Sequence, residues 1–184
     1  MKRTPLAVVA AVTAVLTGSI TRDARALGPV DVELGAKAGV GTNPTSSPIN
    51  PLGFGLGGRG GVSFFGFYGG VDLMYYFGGS QSVAGQNVSL NSLMYGVDLG
   101  YDFKIAILTI RPLLGLGNFT VSSNLGGSSS NLYLEPGVTG LVSFGTLFVG
   151  ADANLLVLPG IDEGGGNHTT ETAFTLHGQV GVRF

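Results

Sequence analysis

The chain of 184 residues contains no cysteine. An exported domain of this size often leans on disulfides to supplement a small core, and that device is excluded here, as is the acylated cysteine of a lipoprotein. Charge is also scarce, at 11% of residues, with 9 Lys or Arg against 11 Asp or Glu. There is no basic surface for a nucleic acid. Beyond the N-terminus no apolar run is long enough to cross a bilayer as a helix. The 33 glycines follow no three-residue period, which excludes collagen. Leu, Val and Phe recur too regularly for a disordered glycine-rich chain.

The N-terminus is of a different kind. Met1-Lys2-Arg3 is basic, Leu6 to Leu16 is apolar apart from Thr13, and residues 24–26 read Ala-Arg-Ala. A charged start, a short apolar stretch and small residues flanking a cleavage point are the marks of a secretory signal peptide. Residues 1–26 are therefore expected to be removed, leaving 27–184 as one domain with 5 basic and 10 acidic residues.

The remainder alternates. In 30–40 the even positions Val30, Val32, Leu34, Ala36, Ala38 and Val40 are apolar, and the odd positions carry Asp31, Glu33, Lys37 and two glycines. Period two with one apolar face is the signature of a strand. The pattern recurs at about 52–64 (Leu52, Phe54, Leu56, Val62 and Phe64 against Arg59 and Ser63), 67–77 and 93–103. It continues at about 106–119, 132–144, 147–157 and 172–184. Pro112 cannot donate to a ladder, and a bulge is expected there. Short links, Phe65-Gly66, Lys104-Ile105 and Gly145-Thr146, alternate with longer polar ones at about 41–51, 78–92, 120–131 and 158–171. The spacing predicts an all-β, eight-stranded antiparallel up-and-down transmembrane β-barrel, with both termini and the short turns periplasmic.

The polar face carries Asp31, Glu33, Lys37, Arg59, Asp72, Asp98, Asp102, Arg111, Glu135, Asp152, His177 and Arg183. Only Lys104, Asp162, Glu163 and Glu171 are charged elsewhere after residue 26. Glycines crowd the same face, as a narrow interior requires, so the polar set is expected in the lumen as an ion network and the apolar set in lipid. The inverse arrangement would be a soluble periplasmic barrel holding a small hydrophobic ligand. The surplus of acids leaves room for a narrow, weakly cation-preferring pore.

The last residues, Phe174-Thr-Leu-His-Gly-Gln-Val-Gly-Val-Arg-Phe184, resemble the terminal strand of bacterial outer-membrane barrels. That resemblance implies that Val180, Val182 and Phe184 form the signal read by the outer-membrane assembly machinery. The chain after residue 26 resembles the OmpA/OmpX-type barrel domain. The resemblance implies a monomer in the outer membrane of a Gram-negative cell, in contact with lipid and lipopolysaccharide. No second, peptidoglycan-binding domain is expected after Phe184. Some barrels of this size modify lipid A through Ser and His. Here His168 lies in a polar link beside Thr169, Thr170 and Glu171, and His177 falls on the lumen face, so no catalytic residue is assigned. No metal-ligand spacing, cofactor motif or phosphate-binding loop is present, and the expected role is structural or surface interaction rather than enzymatic.

Overall fold

The computed structural model describes residues 30–44, 49–83, 86–162 and 168–184. The signal segment 1–26 lies outside them. Nine strands follow in order: β1 (Val30–Gly41), β2 (Phe54–Phe64), β3 (Phe67–Val83), β4 (Gln86–Tyr101), β5 (Phe103–Ile105), β6 (Leu108–Ser123), β7 (Ser128–Phe144), β8 (Leu147–Asp162) and β9 (His168–Arg183). β4 and β5 form one stave interrupted at Asp102, and both pair with β6. β1 pairs with β9, so eight antiparallel staves close into a barrel without a free edge along its wall. Closure is completed by reciprocal backbone bonds between Val32 and Phe184, at 3.0 and 2.9 Å.

The stagger follows from the register. From Asp31 the paired residues run Ser63, Tyr68, Gly100, Leu113, Gly137, Asn154 and Thr175, and return to β1 at Gly41, ten residues on. Eight strands with that offset tilt by about 40° to the barrel axis, given the usual strand rise and spacing. The even positions of β1 and their partners all point outward. Leu34, Leu56, Val71, Leu73, Val97, Leu116, Val149 and Val180 are exposed on the wall. Aromatic residues rim both ends, with Phe64, Phe67, Tyr101, Phe103 and Phe144 at one and Phe54, Tyr75, Phe77 and Phe174 at the other. From Phe64 to Phe54 the belt is about 25 Å tall, the height of the apolar band of a membrane barrel.

Three two-residue turns lie at the end where β1 begins and β9 finishes. Phe65 and Gly66 both have positive φ, +49° and +87°, as a type I′ turn requires. Gly145 has φ +65° and is followed by Thr146, which fits the type II′ turn its sequence suggests. The middle turn differs from expectation. It falls at Ala106-Ile107, with Ile105 paired to Leu108, and Lys104-Ile105 belong to strand β5. The displacement is two residues on each strand, so parity and every side-chain facing are preserved.

Pro112 produces no bulge. The register of β6 is continuous through it on both sides. The cost is taken by the neighbouring stave: the register sets Pro112 opposite Tyr101, and the ladder lapses at the next residue, Asp102, whose N–H instead reaches Gly66 O at 2.7 Å. The strands also run further than expected at the opposite end. β3 and β4 continue to Val83 and Gln86, β6 and β7 to Ser123 and Ser128, and β8 and β9 to Asp162 and His168. The anticipated long links at 78–92, 120–131 and 158–171 are mostly protruding hairpin. Bulges between Phe77 and Ser80 and between Leu158 and Ile161 mark where two of these hairpins leave the barrel.

Candidate functional site: the barrel lumen

Inward glycines make the lumen passable for large side chains. A Cβ on Gly61 or Gly70 would lie 2.4 or 2.2 Å from the Tyr68 side chain, and one on Gly181 would meet the Phe148 ring at 2.5 Å. Tyr133 lies over Gly96 and Gly117 in the same way. Each large residue thus fills the notch of a glycine on a neighbouring strand. The outward Gly69 and Gly140 have nothing near a Cβ position.

Near the turn end, Glu33 of β1 and Arg111 of β6, on opposite walls, meet through two bonds of 3.0 and 2.7 Å. Arg111 also donates to both oxygens of Asp102, and Ser63 Oγ donates to that carboxylate at 2.8 Å. Arg59 donates to Glu33 at 3.1 Å and to Gln179 at 3.1 Å, and Arg183 donates to Glu33 as well. The Arg111 guanidinium lies 3.6 Å from the Tyr68 ring centroid, a cation–π contact. Glu33 and Arg111 are fully buried. At the mouth of this end, half-exposed Lys104 pairs with Asp31.

One level further in, Lys37 donates to Asp72 at 2.8 Å and lies 3.2 Å from Asp152. Asp152 also receives Gln179 and Asn154, each at 3.1 Å, and is 2.8 Å from His177 Nδ1. His177 Nε2 is 2.6 Å from Tyr76 OH. A neutral ring protonated on Nδ1 satisfies both contacts, donating to Asp152 and accepting from Tyr76. Glu135 accepts from Thr175 at 2.9 Å. Asp98 is 6% exposed and has no hydrogen bond or ion pair among the described residues.

The hairpin end of the lumen holds apolar side chains that alternation in sequence did not reveal. Met74, Tyr76, Met94, Phe119, Tyr133, Leu156, Leu158 and Ala173 form a buried cluster with Leu52. Leu52, assigned by parity to the outer wall, precedes β2 and is fully buried in this plug. Asn50 holds it there: its Nδ2 donates to Gly41 O at 3.0 Å and its Oδ1 accepts Leu52 N–H at 2.9 Å. Ser92 Oγ binds Pro51 O at 2.7 Å. The inward Met, Phe and Leu at one parity of β3, β4, β6 and β8 were the available signal, masked by apolar neighbours at the other parity.

Of the candidate residues, all twelve polar side chains except Asp31, Arg183 and Asp98 lie in these buried contacts with a partner. Asp31 sits at the mouth, and Arg183 is part-buried beside Glu33. His168 belongs to the strand β9 backbone, and its side chain lies outside the described residues. Val180 faces outward on β9, and Val182 and Phe184 are half-buried near the seam.

With eight closed staves, an offset of ten and an apolar exterior, the architecture is decided. The fold is that of the small outer-membrane barrels. Neisserial surface protein A aligns with TM-score 0.58 and 17% identity, over 85% of this chain and 97% of that one. Ail, the attachment invasion locus protein of Yersinia pestis, solved with the heparin analogue sucrose octasulfate, aligns with TM-score 0.52 and 15% identity, over 84% and 97%. The N-terminal barrel domain of Pseudomonas aeruginosa OprF aligns with TM-score 0.50 and 17% identity, over 84% and 97%. No protein-family model and no curated protein matches the chain by sequence. At these identities the likeness speaks for the fold.

Proposed function

We propose that the chain is a sealed outer-membrane barrel whose work is done at its outer surface rather than through its lumen. One observation carries this reading. The interior is crossed by ion pairs from wall to wall near the turn end and packed with apolar side chains at the hairpin end. A barrel of eight strands is just wide enough for side chains to fill. The turn end, with both termini, is periplasmic, and the hairpins reach outward from the cell.

The hairpin end sets limits on a partner. The links and hairpin extensions at 41–53, 78–92, 120–131 and 158–171 contain Asp162, Glu163 and Glu171 and no Lys or Arg. Ail was solved with a sulfated sugar analogue. The outer face of this chain lacks the cations that such a polyanion needs. A neutral, hydroxyl-rich partner fits Ser, Asn and Gly better. Lipid and the acyl chains of lipopolysaccharide contact the belt.

The lumen also argues against lipid-modifying chemistry at His177, which is 2% exposed and committed to Tyr76 and Asp152. Residues 1–26 act as the export signal, and Val180, Val182 and Phe184 as the assembly signal. Deleting Phe184 should lower the amount reaching the outer membrane while leaving refolding into detergent micelles intact.

The test is expression of the full-length gene in a Gram-negative host, followed by gel migration of the outer-membrane fraction with and without boiling, and conductance in planar bilayers. The proposal expects a heat-dependent shift and no steady conductance. Stable cation-selective steps would replace it with the narrow pore.

A further inference from the structure

A proline in a closed ladder leaves its mark on the neighbouring strand. The count from Leu134↔Val157 to Gly137↔Asn154 sets Pro136 of β7 opposite Leu155 of β8, and the ladder lapses there. Residues of every second antiparallel pair exchange both backbone bonds. Ser143 N–H goes to Ile107 O on the β6 side, so the odd residues of β7 turn to β6 and the even ones, Pro136 among them, turn to β8. Pro136 and Leu155 therefore form a pair of the bonding kind, but proline has no N–H to give. The Leu155 carbonyl faces β7 with no backbone donor opposite it, while the strands keep one register on both sides of the lapse.

The surroundings decide what can satisfy that carbonyl. On the lumen side Leu156 is fully buried in the apolar cluster, the Glu135 carboxylate accepts from Thr175, and Asn154 directs its amide donor at Asp152. None of these offers Leu155 O a hydrogen bond among the described residues. On the lipid side the wall is apolar, and Leu134, Leu132 and Val157 carry it on toward the hairpins. Leu155 pairs with Phe174 of the hairpin-end aromatic rim, so its carbonyl lies just inside the belt. Ala153, exposed on the same face two residues away, leaves the approach from lipid open. Pro112 treats Tyr101 of β4 in the same way, but at the turn end and beside the charged Asp102 and Arg111.

We propose that the Leu155 carbonyl is a recognition point for an outer-leaflet lipid whose acyl chain carries a hydroxyl near its head end, as a 3-hydroxyacyl chain does. A bare carbonyl in hydrocarbon is strongly disfavoured, and a donor reaching it from the lipid side has to belong to the lipid. The chain would lie along the seam between β7 and β8, over Ala153 and against Val138, with its hydroxyl donating to Leu155 O. A plain acyl chain fills the same space without that bond, so the site discriminates by a hydroxyl rather than by charge. The inference rests on the outward orientation of the hairpins proposed above, which places Leu155 in the outer leaflet.

The test uses mature protein refolded in alkylphosphocholine micelles, which hold no hydroxyl. Leucine labelled with ¹³C at the carbonyl and ¹⁵N at the amide reports Leu–Leu peptide bonds alone, and the sequence has two, Leu113-Leu114 and Leu155-Leu156. Methyl 3-hydroxytetradecanoate is titrated in parallel with methyl tetradecanoate. The hydroxy ester should move the Leu155 carbonyl resonance downfield, saturably, and leave Leu113, which pairs with Gly137, in place. The plain ester should move neither. Pro136→Ala restores an N–H to the ladder, so its Leu155 resonance should start downfield and ignore the hydroxy ester. Ala153→Leu, which fills the approach, should lose the response with Pro136 still present, and it serves should Pro136→Ala fail to fold. No saturable shift with the hydroxy ester, the same shift with both esters, or an undiminished response in both variants would overturn the proposal. Micelles have no leaflets, so such a result counts against the carbonyl site and leaves the sealed barrel to the gel and conductance experiment.

Discussion

Glu33 accepts from Arg59, Arg111 and Arg183, three cations drawn from β2, β6 and β9. Removing that single charge leaves three guanidinium groups without their shared anion. Glu33→Gln should therefore lower folding stability by about 3–5 kcal/mol, the usual cost of breaking a buried pair. Urea titration in micelles measures it, and a loss under about 1 kcal/mol would mean water screens the site. The glycines provide a contrast of facing. Gly61→Ala forces a methyl against the Tyr68 ring and should cost about 1–3 kcal/mol, while Gly69→Ala enters open space and should stay within about 0.5 kcal/mol. The charged residues were legible because Asp, Glu, Lys and Arg fall at one parity in strand after strand. Leu52 was not, because an apolar residue before a strand looks the same whether it lies on the wall or turns into the mouth. Asp98 was legible as an inward acid, but its lack of a partner depends on the pairing of β4 with β6, which alternation does not report.

At the scale of the element, strand ends and turns were less legible than strand identity. Alternation exists only where one face meets lipid and the other the lumen. Beyond the aromatic rim both faces of β3, β4, β6 and β7 meet water, so the pattern stops while backbone pairing continues to Val83, Gln86, Ser123 and Ser128. The Ala106-Ile107 turn carries no Gly, Asn or Asp, so nothing local marked it. Ala106 has φ +52°, a conformation an L-residue adopts at a cost. Ala106→Gly should stabilise the barrel by up to about 1 kcal/mol, the strain relieved less the entropy glycine loses. Chemical denaturation of the paired proteins would show this, and a loss of stability would contradict the turn geometry. On the wall, Val180 lies near the middle of the β9 span between Phe174 and Phe184 and is 54% exposed. Val180→Arg should destabilise folding into vesicles by about 2–4 kcal/mol, as a cation at the bilayer midplane does. A neutral effect would place that face outside the lipid.

For the whole molecule, closure and apolar facing act together. The β1–β9 ladder satisfies the last edge of the sheet, so backbone pairing runs right round the wall, with a lapse in the β7–β8 ladder at Glu135 and Pro136. Polar side chains that would be costly in lipid are turned into the lumen, where most of the charged ones pair with one another, and apolar side chains cluster at the hairpin end. The most direct measurement exploits the absence of native cysteine. Single cysteines replace residues 93–99 of β4 one at a time, each carrying a fluorophore, in vesicles containing brominated lipid. Lipid quenching should be strong at 93, 95, 97 and 99 and weak at 94, 96 and 98. Quenching in the opposite phase, or without alternation, would contradict it.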